Sequence, residues 1–264
     1  MNLKQCLFTN NEAYKANTIR AVKGIMIHST AANNPYLKRY VGPNDGLLGV
    51  NKYGNHWNVY HPGGKNIGPH TFTDKVKKGI CDTCGGRQVC ANAFIGKLAD
   101  GTIATYQTLP WNIRGWHSGA GAKGNADAMG YIGVEICEDG LTDKTYFEKV
   151  YQEAVELCVY LCKKYNLTEK NIICHSEGHA QGIASNHGDV MHWFPKFGKN
   201  MNTFRAAVKA GLANNGKAEK IGYRVFDEND KQIGYFSVAE NAVNMVRSQL
   251  TKGKGAKVQV VNKG

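Results

Sequence analysis

Long apolar runs are missing from this chain. No stretch of about 18 consecutive apolar residues occurs, so no membrane-spanning helix is expected. The opening MNLKQCLFTNNEAYKANT has no apolar segment of about 7–15 residues behind a basic start, so it does not read as a secretory signal. Synthesis and folding in a cytoplasm are therefore expected, where cysteines are thiols or metal ligands more often than disulfides. Long internal repeats and low-complexity tracts are absent as well. Acidic residues are in the minority, 21 Asp and Glu against 33 Lys and Arg, which gives a formal charge of +12. Such a surface favours polyanions. Yet there is no run of about five basic residues and no aromatic–basic RNA-binding motif, so no nucleic-acid partner is expected.

What is present suffices for a packed core: 42% hydrophobic and 10% aromatic residues in a chain of 264. GIMIHST (24–30), YIGVEIC (131–137) and NIIC (171–174) read as buried strands, and HWNVY (56–60) as another. FIGKLADGTIATYQTL (94–109) reads as a hairpin turning at Ala99-Asp100-Gly101. Helical spacing of Phe147, Val150, Ala154, Leu157, Cys158 and Leu161 predicts a helix over about 145–165, with Thr145 and Glu148 as a capping box. A second helix is predicted over 203–212. The fold class expected is α/β, a mixed central β-sheet flanked by helices, over residues 1–213. Polar residues 214–222 read as a linker, and 223–264 as a small ββαβ module.

The stretch NIICHSEGHAQGIASNHGDVMHWFP (171–195) holds His175, His179, His187 and His192, four of the nine histidines. A catalytic zinc takes three protein ligands and leaves one position open. His28 ends one predicted strand and His175 follows another, so the two imidazoles meet if those strands are neighbours. The third donor is open at this point. Asp189 sits in a loop that can fold back, and His179 lies four residues after His175. HSEGH is not the H-E-x-x-H motif, because its glutamate is one place late, and Gly178 argues against a helix there. His192 and Trp193 are expected to pack the loop that carries Asp189. His56 and His61 read as structural or substrate-rim residues.

IMIHST, GWHSGAG followed by YIGVEIC, and the histidine-rich stretch together resemble the zinc-dependent, type-2 N-acetylmuramoyl-L-alanine amidases. These are related to peptidoglycan recognition proteins and are common among phage and prophage endolysins. The resemblance covers roughly residues 20–205. It implies zinc held by His28, His175 and Asp189. The family's alternative third ligand, a cysteine, is unavailable, since none follows Cys174. It also implies Glu135 as general base, His187 as a cation stabilising the oxyanion, and His117 and His56 on the substrate side. His187 departs from the usual lysine, and the spacing from His175 to Asp189 is longer than usual. With a cationic His187, activity should fall as pH rises through its pKa, and a rate profile flat above neutrality would deny it that role. The implied substrate is bacterial peptidoglycan, met after release from the cell in which the chain is made. The C-terminal module would bind the wall through its anionic polymers, with no insertion into a membrane.

An insert of about 62–93 carries Cys81, Cys84 and Cys90 in CDTCGGRQVC. With His70 as fourth donor these fit a structural zinc. Three ordinary thiols, or one disulfide and a free thiol, are the alternatives. Three other functions compete with the amidase. A muropeptide-binding protein without catalysis would lack a complete ligand set. A nucleic-acid binder rests on charge alone. A cysteine hydrolase has no cysteine in a nucleophile's context.

Overall fold

A computed structural model describes residues 1–41, 46–49, 90–213, 220–236 and 239–263. The expected strand HWNVY, the greater part of the cysteine insert and residues 214–219 of the linker lie outside those residues; the linker's last three residues, 220–222, are instead strand, drawn in by pairing with the C-terminal strand. In chain order the first unit contains β1 (Leu3–Gln5), α1 (Glu12–Ala16), β2 (Gly24–Ser29), β3 (Ala93–Lys97), β4 (Ile103–Gln107), β5 (Tyr131–Ile136), α2 (Lys144–Tyr165), β6 (Ile172–Cys174), α3 (His175–Ala180) and α4 (Met201–Ala213). Its strands form one sheet in the order β1-β4-β3-β5-β2-β6, parallel except for the β3–β4 hairpin. This is the mixed α/β class expected.

The apolar runs explain the centre of the sheet. Every residue of β2 is buried, as are Ile132, Val134 and Ile136 of β5 and all of β6, the composition of strands covered on both faces. Parallel pairing puts His28 level with Glu135 and Ile27 level with Cys174. The chemistry-bearing residues thus share the carboxyl ends of three adjacent strands, where open α/β sheets place their ligands.

Helix α2 buries Phe147, Val150, Ala154, Leu157, Cys158 and Leu161, the stripe its spacing predicts. Its start differs from the expectation. The helix begins at Lys144, so Thr145 is already inside the first turn, and Asp143 is the cap, its carboxylate accepting from the Tyr146 N–H at 2.9 Å. Asp143→Ala should cost about 1 kcal/mol of stability in urea unfolding, whereas Thr145→Ala should leave the midpoint almost unmoved.

The segment after α3 is tied to α2 by aromatic rings. Trp193, Phe194 and Phe197 lie 5.3, 5.6 and 4.5 Å from the Phe147 ring between centroids, and Phe194 and Phe204 pack on Tyr151. Trp193 and Phe194 are fully buried. Trp193 therefore packs the loop that carries Asp189, as expected. His192 departs from the expectation of packing that loop: it is exposed, with Nε2 2.9 Å from the buried Glu138 Oε1.

The chain divides into units Met1–Gly211 and Leu212–Gly264. In the second, β7 (Lys220–Asp227) lies between β8 (Gln232–Phe236) and β9 (Ala256–Lys263), all antiparallel, with α5 (Ala239–Leu250) between β8 and β9 in sequence. Val225 and Ala242 are its buried residues among those described.

Candidate metal centre

His28 is the penultimate residue of β2 and is almost fully buried. His175 opens α3 directly after β6. Asp189 starts a short 3-10 turn, Asp189–His192, with a left-handed backbone (φ 43°). His175 Nδ1 lies 2.8 Å from Asp189 Oδ2, and His28 Nδ1 lies 3.4 Å from the same oxygen. The two Nδ1 atoms are 3.1 Å apart. A tetrahedral ion with bonds of about 2.0–2.2 Å has ligand–ligand edges near 3.3–3.6 Å. Two neutral-ring nitrogens and a carboxylate oxygen, gathered this closely, fit zinc in donor chemistry and in spacing.

The surroundings tune each donor. Burial pulls the His28 pKa below its ordinary 6.5, against the opposing pull of the Asp189 carboxylate. Burial alone would raise the Asp189 carboxyl. The His175 hydrogen bond and the adjoining His28 imidazole outweigh it and hold the group well below the usual carboxylate range. On its far side, His175 Nε2 meets Ser185 Oγ at 3.3 Å, and Ser185 Oγ also meets His187 Nδ1 at 3.0 Å. Ser185 was not singled out from sequence, because a lone serine in a polar loop carries no signal.

Glu135 stands next to His28 across the β2–β5 register. The residue as a whole is partly exposed, yet its Oε2 is shut off from solvent and has no hydrogen-bond partner. The atom matters more than the residue average, because it would carry the charge. Burial, then the nearby Asp189 and Glu138 carboxylates, push its pKa well above 4.5. A carboxyl held this way at a cleft is a candidate acid–base group.

His187 is exposed at the rim, its ring 4.8 Å from that of His175 between centroids. His117 lies deeper than a substrate-rim residue, against His28 at 2.9 Å (His117 Nδ1 to His28 Nε2). His179, the reserve third donor, points elsewhere: its Nδ1 is 3.3 Å from the Ala184 carbonyl oxygen, outside the converging group. His56, His61, His70, Cys81 and Cys84 fall outside the described residues. Cys90 is described, a buried thiol within the apolar core, its pKa raised by that burial.

The helix at His175 corrects the expectation drawn from Gly178. A Cβ on Gly178 would come within 2.6 Å of Met26 Cε and 3.2 Å of Ala184 Cβ, so glycine lets α3 lie against β2. Close packing here overrides helix propensity. Glu177 starts the helix by accepting from the Cys174 N–H at 3.1 Å, and Arg205 of α4 grips both its oxygens at 2.8 and 2.9 Å. An acid three residues into a helix is a legible capping signal, although its arginine partner is not.

Two imidazoles, a carboxylate and a shielded acid at the strand ends of a mixed sheet define a candidate metal-hydrolase centre. The Amidase_2 family model, described as N-acetylmuramoyl-L-alanine amidase, matches residues 18–190, and the chain belongs to that family. A curated relative, N-acetylmuramoyl-L-alanine amidase CwlH of Bacillus subtilis (strain 168), is 36% identical over 72 residues, 27% of this chain. That match spans 27% of the relative's own length. Among solved structures, a mutant of PlyL superposes with a TM-score of 0.50 at 17% identity, covering 80% of this chain and all of that one, a likeness of fold. A mutant endolysin from Bacillus subtilis gives 0.45 at 18% identity, over 79% of this chain and 99% of the other.

Proposed function

We propose that this chain hydrolyses the amide bond between N-acetylmuramic acid and L-alanine in peptidoglycan, with zinc held by His28, His175 and Asp189. The observation that carries the reading is the convergence of those three donors beside the unpartnered Oε2 of Glu135, on a family-matched fold. Zinc bound there would supply Lewis acidity toward the scissile carbonyl and a water that ionises near neutrality.

The chain's own residues do the rest. Asp189 stays ionised and offsets part of the cation's charge. Glu135 takes a proton from the attacking water, holds it at the shielded carboxyl, and delivers it to the departing L-alanine nitrogen. The water's oxygen ends on the lactyl carbon, its two hydrogens shared between the new carboxyl and the new amine. His187 at the rim donates to the carbonyl oxygen as negative charge builds there. The net charge of +12 suits an anionic wall, and the C-terminal unit serves as the wall-binding module. The role is that of a lytic enzyme, made in the cytoplasm and acting on the wall after release.

Digestion of purified wall tests the reaction. New amino-terminal L-alanine should appear, vanish after treatment with a zinc chelator, and return when zinc is restored. New reducing sugar without new alanine amines would make the protein a glycosidase and end this reading.

A further inference from the structure

The cleft holds a third imidazole whose two nitrogens are both engaged. His117 Nε2 lies 3.2 Å from the Tyr131 carbonyl oxygen, and its Nδ1 lies 2.9 Å from His28 Nε2. A carbonyl oxygen can only accept, so His117 Nε2 carries the hydrogen. In the neutral ring, Nδ1 is then a bare lone pair that must be donated to. His28 therefore carries its own hydrogen on Nε2, which leaves its Nδ1 bare and facing Asp189 and His175. The direction of each hydrogen bond follows from the backbone carbonyl at the head of the chain.

We propose that His117 is a positioning residue that fixes the tautomer and ring plane of His28, so that His28 offers Nδ1 to the metal. The inference rests on the reading of His28, His175 and Asp189 as zinc ligands, and gives His117 a task distinct from contact with substrate.

Two further features support it. The His117 ring lies flat on β5, over Gly133. A Cβ at Gly133 would sit 2.3 Å from the ring's Cδ2 and 2.4 Å from Cγ, so the strand is bare where the ring needs the room. The segment that delivers the ring is braced on both sides. Trp116 holds a left-handed backbone (φ 61°), and buried Ser118 donates to buried Asp127 at 2.7 Å. The accepting carbonyl is braced too, since Tyr131 O also takes a hydrogen bond from Arg20 Nη2 at 2.6 Å. Metal-binding histidines are commonly oriented through their second nitrogen, and loss of that partner costs 10–100-fold in affinity.

Ring-nitrogen NMR on the metal-free, histidine-labelled full chain reads the tautomer directly. The expected result is hydrogen on Nε2 and a bare Nδ1 in both His28 and His117. Zinc affinity, measured by competition with a chelating dye, should fall about 10–100-fold in His117→Phe. His117→Asn, whose amide oxygen can stand in for Nδ1, should retain most of it. Gly133→Ala keeps every nitrogen but lifts the ring, and should behave as the Phe variant does. Hydrogen on Nδ1 of His28 in the metal-free wild type would overturn the proposal. So would a folded His117→Phe protein that binds zinc as tightly as wild type. Should the Phe variant fail to fold, the wild-type tautomer and the Asn variant decide. A protein with the expected tautomer that opens no muramyl amide would refute the amidase reading alone, and intact amide cleavage with the opposite tautomer would refute this proposal alone.

Discussion

Glu135→Gln is expected to lose 10²–10⁴-fold in turnover, the usual contribution of a positioned acid–base group. The same change should make the metal-free protein harder to unfold. Oε2 is shut away without a partner, and burial with two nearby carboxylates raises the folded pKa well above 4.5. A group whose folded pKa exceeds its unfolded value contributes stability that is whole below the unfolded value. That contribution is lost as pH rises through the folded one. Near neutrality and above, the native state must therefore either carry a shielded charge or hold a proton against the solvent. Glutamine escapes that penalty, so the variant should gain on the order of 1 kcal/mol over wild type at alkaline pH, and less at pH 4. Urea unfolding at several pH values, without metal, measures this. A variant that loses both activity and stability at every pH would show Glu135 to be a structural partner instead.

The second large effect concerns the third donor. Asp189→Asn keeps the size of the side chain and its tolerance of a left-handed backbone, but removes the charge. The fold should survive, as read by circular dichroism. Zinc affinity should drop by more than the 10–100-fold typical of an outer-shell partner, and hydrolysis should fall to background. His179→Ala should leave both untouched, because the ring faces the Ala184 carbonyl. The reverse pattern would move the third ligand to His179 and require the loop to rearrange on binding metal. Isothermal titration with zinc separates the two.

These residues also show what a single sequence can disclose. The central strands were legible because strands buried on both faces must be apolar runs, and IMI, YIGV and NII are little else. His28 and His175 followed, since each sits where such a run ends. The cap of α2 was not. Asp143 and Thr145 are both able to cap, and only the position of the first helical turn separates them. The helix at His175 was hidden because its glycine reports a shortage of space against Met26, a contact across the sheet. The tie between His117 and His28 was equally hidden. The residues lie 89 positions apart, and nothing local to either announces the other.

Trp193, Phe194 and Phe197 act as a mooring for the third ligand. His28 rides on β2 and His175 directly follows the neighbouring β6, but Asp189 is tied to the helix layer through those rings. Its place is therefore set from the carboxyl side, while the path from His175 is pinned as far as Ser185, with Ile183 and Ala184 buried and the Ser185 N–H donating to the Ser118 carbonyl at 2.9 Å. Residues added in the exposed stretch between Ser185 and Asp189 become slack: doubling a flexible loop costs only about 0.6 kcal/mol. A centre moored this way can lengthen one approach to its metal and keep its grip.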